Sequence, residues 1–381
     1  MQKGIVIMKK TVSAIMAVII VITTIFSVGM ISTSATTLKA PVITKTEAVA
    51  NGVKLTWATV PGAARYRVFV KSGNRWKTLG DTYGTTWTDK KAAYGKNYTY
   101  TVRCVTKSGD RFTSRYDYNG TSAKYLSTPS GLTVRSIESG HRIAWNRVAG
   151  ADKYRIFMKK NNKWVVIANT TQAVYINKVH GTATYTVRCL SKDGKAFTSY
   201  YKTSGSTIYE VKMPYYDQLN YGDVPFGSVK GATLKSHGSA QVAFAMVVSS
   251  LNTSNISPKD VVKWKETAKY CVNEGTKWGY FKDAARHYGF VCQNDSALLS
   301  EAITALKQGK PVICLQAPGL FTSGGHFIVL RGITSTGKIL VSDPNGGNAN
   351  KWGLSTNQYL YKEWTYDQIK ASASNNWIFS K

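Results

Sequence analysis

An internal repeat in the first half of the chain places the strongest constraint on its fold. The first copy has Val-Lys-Leu-Thr-Trp at 53–57 and Tyr-Thr-Val-Arg-Cys at 100–104, and the second has Arg-Ile-Ala-Trp at 142–145 and Tyr-Thr-Val-Arg-Cys at 185–189. Trp57 and Trp145 lie 88 residues apart, and Cys104 and Cys189 lie 85 apart, since the first copy has a longer loop at 92–97. The repeat predicts two domains of one fold, at 41–127 and 128–210.

Both copies alternate apolar and polar residues in short segments separated by Gly, Asn, Asp and Ser, which is typical of antiparallel strands in a β-sandwich. With their tryptophan, their Tyr-Arg-Val or Tyr-Arg-Ile element and their Tyr-x-Val-Arg element, the copies resemble fibronectin type III domains. The resemblance implies that Trp57, Tyr100, Trp145 and Tyr185 are core residues. The alternative is that these aromatic side chains are exposed platforms for sugar rings, but large aromatic residues usually pack in cores.

The second half contains the layout of a catalytic triad. Leu-Lys-Ser-His-Gly-Ser-Ala-Gln at 234–241 leads into an apolar run, which predicts a buried helix at 240–251 with Ser239 at or next to its N-cap. His326 begins an apolar segment that reads as a buried strand, and a second strand at 338–342 ends at Asp343. A residue at a helix N-terminus, a histidine on a strand and a following acid are typical of a nucleophile, a base and its orienting group.

Other segments complete an α+β pattern, in which helices come first and an antiparallel sheet follows. Ser257 is predicted as an N-cap with Pro258 at the first helical position. Further helices are predicted at 279–288 and 296–308, and strands at 310–316, 326–331, 338–342 and 377–380.

Residues 211–381 resemble the C39-like branch of the papain-fold cysteine peptidases. That family opens its helix with Gly-Cys-Gly-Pro-Thr-Ser and continues through Ala-Met, where this chain has Gly-Ser-Ala-Gln-Val-Ala at 238–243 and Ala-Met at 245–246. The resemblance implies an α+β papain-like domain with His326 as the base and Asp343 as its orienting group. It also implies that the Gln218 side chain binds the oxyanion.

The nucleophile position holds Ser239 instead of cysteine. A helix N-terminus can help to turn a thiol into a thiolate, but an alcohol has a far higher pKa. Ala240, Gln241 and Val242 also differ from the family, which favours a catalytically inactive module that binds a peptide or a cell-wall peptide. The alternatives are a secreted peptidase or amidase with a Ser239-His326-Asp343 triad, or an alignment that misplaces the nucleophile.

A groove between Ser239 and His326 is the predicted place for this peptide. Trp278, Phe327 and Trp352 are candidates for its walls, although each is also a candidate core residue. A His326–Asp343 hydrogen bond could equally persist only because it holds two strands together.

The first residues predict a secretory signal peptide at 1–35. Lys3, Lys9 and Lys10 precede an apolar run at 12–31 and the segment Ser-Thr-Ser-Ala, so cleavage is expected after Ala35. An uncleaved membrane anchor is the alternative, because the apolar run is long. Both interpretations place the rest of the protein outside the membrane, either secreted or at the cell surface.

Positive charge is concentrated on the repeats. The net charge of the chain is +30, and residues 41–210 contain 28 Lys and Arg against 9 Asp and Glu, compared with 18 against 11 in residues 211–381. Anionic surface polymers are natural partners for such a surface, although a role in solubility alone is the alternative. The sequence contains no recognition helix, RNA-binding motif or zinc-finger spacing, so sequence-specific nucleic-acid binding is not expected. A monomer is expected.

The five cysteines do not predict a metal site, because no Cys-x-x-Cys occurs. Cys104 and Cys189 occupy equivalent positions of different repeats and read as small buried residues. A disulfide between Cys271 and Cys292 is left open. There is no Gly-rich phosphate loop and no His-Glu-x-x-His, so no cofactor is expected.

Overall fold

A computed structural model describes residues 37–293 and 297–381, and the signal peptide predicted at 1–35 lies outside these residues. The chain divides into two compact units. One contains the described residues of 1–44 together with 57–87 and 100–120, and the other contains 45–56, 88–99 and 121–381. Among the described residues, no helix has the length and apolar character needed to cross a membrane.

Two successive sets of seven strands account for the sequence repeat. The first set comprises β1 (Ile43–Val49), β2 (Gly52–Trp57), β3 (Arg65–Ser72), β4 (Arg75–Thr82), β5 (Thr86–Asp89), β6 (Lys96–Val105) and β7 (Thr121–Tyr125). The second comprises β8 (Thr133–Ile137), β9 (Gly140–Ala144), β10 (Lys153–Lys160), β11 (Lys163–Thr170), β12 (Val174–Asn177), β13 (Ala183–Leu190) and β14 (Ser206–Glu210).

The second repeat is a β-sandwich whose core follows from the alternation of its strands. β8, β9 and β12 form one sheet, while β11, β10, β13 and β14 are neighbours in another. Trp145 packs edge-on against Tyr154 with ring centroids 5.2 Å apart, and Tyr185 belongs to the same buried cluster. In the first repeat Trp57 meets Tyr66 in the same way, at 5.6 Å. Burial of these aromatic rings supplies much of the apolar area that stabilises such a domain.

The four aromatic residues that the resemblance placed in cores are all buried: Trp57, Tyr100, Trp145 and Tyr185. Their rings are therefore not exposed platforms for sugars.

The C-terminal part mixes helices with an antiparallel sheet. Its helices are α1 (Leu234–His237), α2 (Ser239–Leu251), α3 (Pro258–Lys263), α4 (Tyr280–His287), α5 (Leu299–Lys307), α6 (Thr356–Leu360) and α7 (Tyr366–Lys370). Its strands are β15 (Cys271–Val272), β16 (Gly275–Thr276), β17 (Val291–Gln293), β18 (Val312–Gln316), β19 (His326–Ile333), β20 (Ile339–Ser342), β21 (Glu363–Trp364) and β22 (Ala373–Ser380). Short 3₁₀ helices span Gln218–Asn220, Lys265–Tyr270 and Gly346–Trp352.

Helix α2 is buried almost throughout because nearly all of its side chains are small or apolar. Phe244 packs in one cluster with Ile313, Val329 and Phe379, which come from strands β18, β19 and β22. A second buried cluster contains residues of α5 together with β18, β19, β20 and β22. The sheet therefore lies between α2 and α5, and this packing fixes the start of α2 beside the start of β19.

Sequence patterns located most of these elements to within a few residues. The helix predicted at 240–251 begins one residue earlier, at Ser239. Ser257 caps α3 and Pro258 is its first residue, as predicted. The helices predicted at 279–288 and 296–308 are observed as α4 and α5, although 294–296 lie outside the described residues.

One sheet passes from the second repeat into the C-terminal part. Its main path of strands is β11-β10-β13-β14-β19-β18-β22-β17. The two parts join where β14 pairs antiparallel with β19, with Tyr209 opposite Ile333 and Glu210 opposite Gly332. A side chain at Gly332 would meet the Tyr209 carbonyl oxygen at 2.3 Å, so this pairing requires glycine.

Candidate active site

Ser239 is the first residue of α2, and Gly238 occupies the N-cap position. A Cβ atom at Gly238 would lie 2.5 Å from the Leu234 Cα, so the tight passage from α1 to α2 requires glycine there. Ser239 is buried, and its Oγ accepts a long hydrogen bond of 3.4 Å from the Phe327 backbone N–H. The helix dipole makes this position favourable for negative charge.

His326 and Asp343 meet at the ends of adjacent strands. His326 begins β19 and Asp343 follows β20, and the two strands pair antiparallel with Val329 opposite Ser342. His326 Nε2 lies 2.6 Å from Asp343 Oδ1, and both side chains are buried. The contact leaves Nδ1 as the ring nitrogen available for proton exchange with another group.

Asp343 is held by donors other than the histidine. The Asn345 N–H donates to Oδ1 at 2.8 Å. Oδ2 accepts hydrogen bonds from Asn348 Nδ2 at 2.8 Å and from the Tyr359 hydroxyl at 3.0 Å. Burial and the nearby Asp343 carboxylate raise the pKa of Tyr359 far above its usual range, so its phenol remains a donor. These donors stabilise a charged carboxylate next to His326.

Gln218 lies at this end of the domain but already uses its amide. Its backbone N–H donates to Pro344 O at 2.8 Å, and its side-chain Nε2 donates to Lys235 O at 3.0 Å. Its Oε1 is buried and has no hydrogen-bond partner within the described residues. The structure thus brings Gln218 beside the turn before Ser239, where the Lys235 carbonyl oxygen takes up one of the two N–H groups of its amide.

Ser239 and His326 share one end of the domain without a direct hydrogen bond between their side chains in the described part of the chain. The serine hydroxyl contacts instead the backbone of Phe327, the residue after the histidine. A serine nucleophile needs its base within hydrogen-bond reach. The arrangement therefore resembles a catalytic triad that lacks the hydrogen bond between the nucleophile and the base.

The residues behind the nucleophile position form a small polar cluster. Gln241, which is fully buried, donates from Nε2 to Thr276 Oγ1 at 3.1 Å and contacts Cys271 Sγ at 3.8 Å. Burial raises the pKa of Cys271 to about 11, so this thiol does not supply a thiolate in place of Ser239. The five cysteines, all of them among the described residues, form no disulfide, so Cys271 and Cys292 are not joined.

The three candidate wall residues differ in exposure. Phe327 is buried, whereas Trp278 is 54% exposed and Trp352 is 36% exposed. Trp278 packs edge-on against Trp377 at 5.8 Å, and Trp377 lies 5.7 Å from Phe327, which connects Trp278 to the strand that begins at His326. Trp278 is therefore the better candidate for a groove wall, because it exposes apolar surface to a ligand.

A second cluster of titratable residues lies where β14 meets β19. His141, His180 and Glu210 have ligand atoms within 4.8 Å of one another, which a metal ion could use. However, Arg331 Nη1 lies 2.5 Å from Glu210 Oε1, and Glu210 Oε2 accepts from the Gly181 N–H at 2.9 Å. A cation would have to compete with the guanidinium, so the geometry favours an ion pair over a metal site. No local sequence pattern indicates this cluster, because its members are far apart in the chain.

An α+β domain with a buried His326–Asp343 pair is the class that this fold and site define. Residues 210–374 match the model described as the Peptidase_C39 like family, and this part of the chain is therefore a C39-like peptidase domain. No curated protein matches the chain.

Solved structures similar to this chain include fibronectin type III-like proteins. An Fn3-like protein from Clostridium thermocellum is 29% identical, with a TM-score of 0.17, and the match covers 21% of this chain and 84% of that chain. The FN1–FN3 domains of chicken CNTN1 are 12% identical, with a TM-score of 0.23, covering 42% of this chain and 63% of that chain. The predicted fold class is confirmed: two strand-built repeats precede the C39-like domain.

Sequence reasoning missed the residues that hold the acid in place. Asn348 and Tyr359 both bond the Asp343 carboxylate, and the Tyr215 hydroxyl donates to the Asp343 carbonyl oxygen at 2.9 Å. Asn348 follows Asp343 closely in the chain, so its proximity was a usable signal. Tyr215 comes from a distant segment, which no local pattern connects to the acid.

Proposed function

We propose that the C-terminal domain binds a peptide, or a cell-wall peptide, in the groove between Ser239 and His326 without hydrolysing it. The observation that carries this proposal is the state of Ser239, whose hydroxyl contacts the Phe327 N–H rather than His326. An alcohol has too high a pKa to form a standing ion pair with imidazole. Without a hydrogen bond to a base, Ser239 lacks the activation that a nucleophile needs.

The oxyanion side of the site supports the same conclusion. The Gln218 amide donates to the Lys235 carbonyl oxygen, which is three residues before Gly238. Because this carbonyl oxygen holds one of the two N–H groups of the amide, only the other can point toward a developing oxyanion. Loss of one oxyanion donor reduces rates by about 10²- to 10³-fold in serine peptidases.

Features that would favour binding lie around Ser239 and His326. The N-terminus of α2 is favourable for a carboxylate or a polarised carbonyl group of a ligand. Trp278 offers an exposed aromatic surface, and its contact with Trp377 limits its motion. A peptide could therefore use charge at one end and apolar contact at the other.

The deciding experiment compares the full chain with its Ser239→Cys and Ser239→Ala variants. Peptidase and amidase assays on pooled peptides and wall fragments are combined with thiol- and serine-reactive probes. We expect the wild type to show no hydrolysis and no probe labelling at residue 239. The Ser239→Cys variant should react with the thiol-reactive probe, because a thiol at a helix N-terminus ionises far more readily than an alcohol. The Ser239→Cys/His326→Ala double variant is the control, since it retains the new thiol and the native cysteines but loses the imidazole.

Binding is measured separately, by titrating wall-derived and random peptides into the wild type and a Trp278→Ala variant. Saturable binding that weakens in this variant supports the proposal. If no peptide binds in any of these titrations, the proposal is overturned, even if no variant shows hydrolysis.

A serine hydrolase with a Ser239-His326-Asp343 triad is the second candidate. The observation in its favour is the full set of donors around Asp343, which would keep His326 oriented as a base. Wild-type hydrolysis that Ser239→Ala abolishes, and that a serine-reactive probe blocks, would establish this activity.

For the repeats, we propose that their positive charge holds the protein on an anionic polymer outside the cell. Residues 41–210 contain 28 Lys and Arg but only 9 Asp and Glu, and this excess of positive charge supports the role. Sedimentation with wall material that contains teichoic acid, and with material stripped of it, tests the proposal. Binding should require the polymer and should fall steeply between low and physiological salt. Equal binding to stripped material would contradict it.

A further inference from the structure

Each repeat carries an aromatic and arginine cluster outside its core, with almost the same geometry. The Arg103 guanidinium carbon lies 3.9 Å from the centroid of the Phe112 ring, and its counterpart Arg188 lies 4.0 Å from that of Phe197. The Nε atoms of the two arginines donate to the Ser114 and Ser199 carbonyl oxygens, at 2.7 and 2.8 Å. Equivalent residues complete a small pocket in each repeat: Phe69, Trp76, Thr101 and Tyr116 in the first, and Phe157, Trp164, Thr186 and Tyr201 in the second.

In the second repeat, an extended segment of the same chain binds both Arg188 and the backbone of Phe197. Glu47 pairs with Arg188, with Oε1 2.9 Å from Nη1. Arg188 Nη2 also donates to the Ala48 carbonyl oxygen at 2.6 Å, and the Ala48 N–H donates to the Phe197 carbonyl oxygen at 2.9 Å. Glu47 and Phe197 thus form a parallel bridge. The ligand here is an acidic residue followed by a small one, in extended conformation.

In the first repeat, none of the described residues occupies the equivalent groups. Thr106 N–H donates to Arg111 O and Thr113 N–H donates to Cys104 O, so the residues on both sides of Phe112 are paired. The Phe112 N–H and C=O therefore face away from that pairing. Among the described residues, neither group has a hydrogen bond and Arg103 has no ion pair, and the Phe112 side chain is 45% exposed.

We propose that the first repeat binds an extended acidic peptide segment of a partner protein at Arg103 and Phe112. The partner's Glu or Asp carboxylate pairs with the Arg103 guanidinium, and the N–H of the next residue donates to the Phe112 carbonyl oxygen. The binding mode is strand addition to an exposed backbone edge, with one charged side chain for specificity. The adjoining pocket of about 200 Å³, lined by Trp76 and Tyr116, is available to a neighbouring side chain of the partner.

The occupant is assigned to a separate protein because the chain's own acidic segment is already engaged. Glu47 and Ala48 bond Arg188 and Phe197 within the same chain, so a second copy would have to release them before docking them on Arg103. A free partner segment faces no such competition.

The chain provides its own probe for the test. A capped, fluorescent peptide with the sequence Ile-Thr-Lys-Thr-Glu-Ala-Val-Ala, taken from residues 43–50, is titrated into the full-length protein and followed by polarisation. The same peptide with Gln in place of Glu is the matched ligand. We expect the Glu peptide to bind about tenfold more tightly, because a charge-assisted hydrogen bond is lost in the Gln peptide.

Protein variants locate the binding. Arg103→Gln should reduce the affinity for the Glu peptide to that for the Gln peptide, whereas Arg75→Gln, an exposed arginine of the same repeat, should leave it unchanged. If Arg103→Gln lowers the unfolding temperature, a peptide with a photo-crosslinker at the residue after Glu decides the matter in the wild type. Crosslinks at 111–113 support the proposal.

Three outcomes would overturn the proposal: equal affinity for the two peptides, crosslinks at 196–198 of the second repeat, or binding that survives Arg103→Gln in a folded protein. Concentration-dependent self-association that Arg103→Gln removes would assign the site to a second copy instead of a partner. Analytical ultracentrifugation of the wild type and this variant checks that outcome.

Discussion

The two repeats differ most at the ends of their last strands. Strand β7 ends at Tyr125, whose hydroxyl donates to the carbonyl oxygens of Val49 and Ala50 at 3.2 and 3.4 Å. Strand β14 ends at the equivalent position with Glu210, which is also buried. A phenol at this point needs only an acceptor, whereas a carboxylate buried there needs several donors.

Glu210 receives those donors from both sides of a junction. Ser136 Oγ at 2.7 Å and His141 Nε2 at 3.0 Å come from the second repeat. Arg331 comes from β19 of the C39-like domain, and it also donates from Nη2 to the Leu360 carbonyl oxygen at 3.0 Å. The same position therefore has two uses. In the first repeat Tyr125 bonds within its own repeat, whereas in the second repeat Glu210 binds the next domain.

A smaller difference concerns the arginines outside the cores. Arg188 of the second repeat is engaged with Glu47 and the Ala48 carbonyl oxygen, whereas Arg103 of the first has no such partners among the described residues. The same arginine therefore has different partners in the two repeats. The contacts of Arg188 with Glu47 and Ala48 indicate which ligand Arg103 can bind.

The largest expected effect is that of Glu210→Ala. Removing one member of a buried ion pair leaves Arg331 and His141 without their acceptor, which costs about 3–5 kcal/mol of unfolding free energy. The comparison variant is Tyr125→Phe, which removes a single neutral hydrogen bond and should cost about 1 kcal/mol. Urea unfolding of the full chain measures both. Equal losses would show that the charged junction adds nothing to the stability of the second repeat.

The pH dependence of stability gives the next effect. Burial alone would raise the pKa of Glu210, but the hydrogen bond with His141 and the charge of Arg331 outweigh it and hold the pKa far below its usual value near 4.5. A carboxyl group whose pKa is lowered on folding stabilises the protein fully above the unfolded-state pKa. That contribution is lost as the pH falls through about 4.5 toward the lower folded value.

We therefore expect the stability difference between wild type and Glu210→Gln to shrink as the pH falls below about pH 5. Urea titrations at a series of pH values measure this difference. A difference that does not change with pH would mean that Glu210 is not charged in the folded protein.

The sequence predicted the fold class because its signals are local. Alternation in the repeats, the Ser257-Pro258 helix start and the apolar run after Ser239 each involve neighbouring residues, and each indicated the right type of element. His326 and Asp343 also lie close together for a local reason, since a short turn joins β19 to β20.

The parts that were missed depend on distant residues. Nothing near Glu210 indicates that Arg331, 121 residues later, pairs with it, or that β14 continues into the sheet of the next domain. In the same way, the hydrogen bond from the Gln218 side-chain amide to the Lys235 carbonyl oxygen depends on the tertiary packing of two loops. Contacts of this kind follow from the assembled fold and leave no pattern in the sequence.

The third prediction compares matched arginines. Arg188→Gln and Arg103→Gln each lose an Nε donor to a serine carbonyl oxygen, but only the first also loses Glu47 and Ala48. We expect Arg188→Gln to cost about 1–3 kcal/mol more than Arg103→Gln, because charge-assisted hydrogen bonds are lost from a buried side chain. Urea unfolding of the two variants measures the difference. If the two costs agree, the contact with Glu47 does not contribute to stability.

The smallest effect is expected from a pair on the surface. Lys124 of the first repeat and Asp152 of the second lie 2.6 Å apart, but their side chains remain 34% and 30% exposed. Water and salt screen such a pair, so Lys124→Gln should change the unfolding free energy by less than about 1 kcal/mol. The Lys124→Gln/Asp152→Asn double variant, measured at low and high salt, isolates the pair energy. A coupling as large as that of Arg188 with Glu47 would show that exposed charges hold the repeats as firmly as the buried contact.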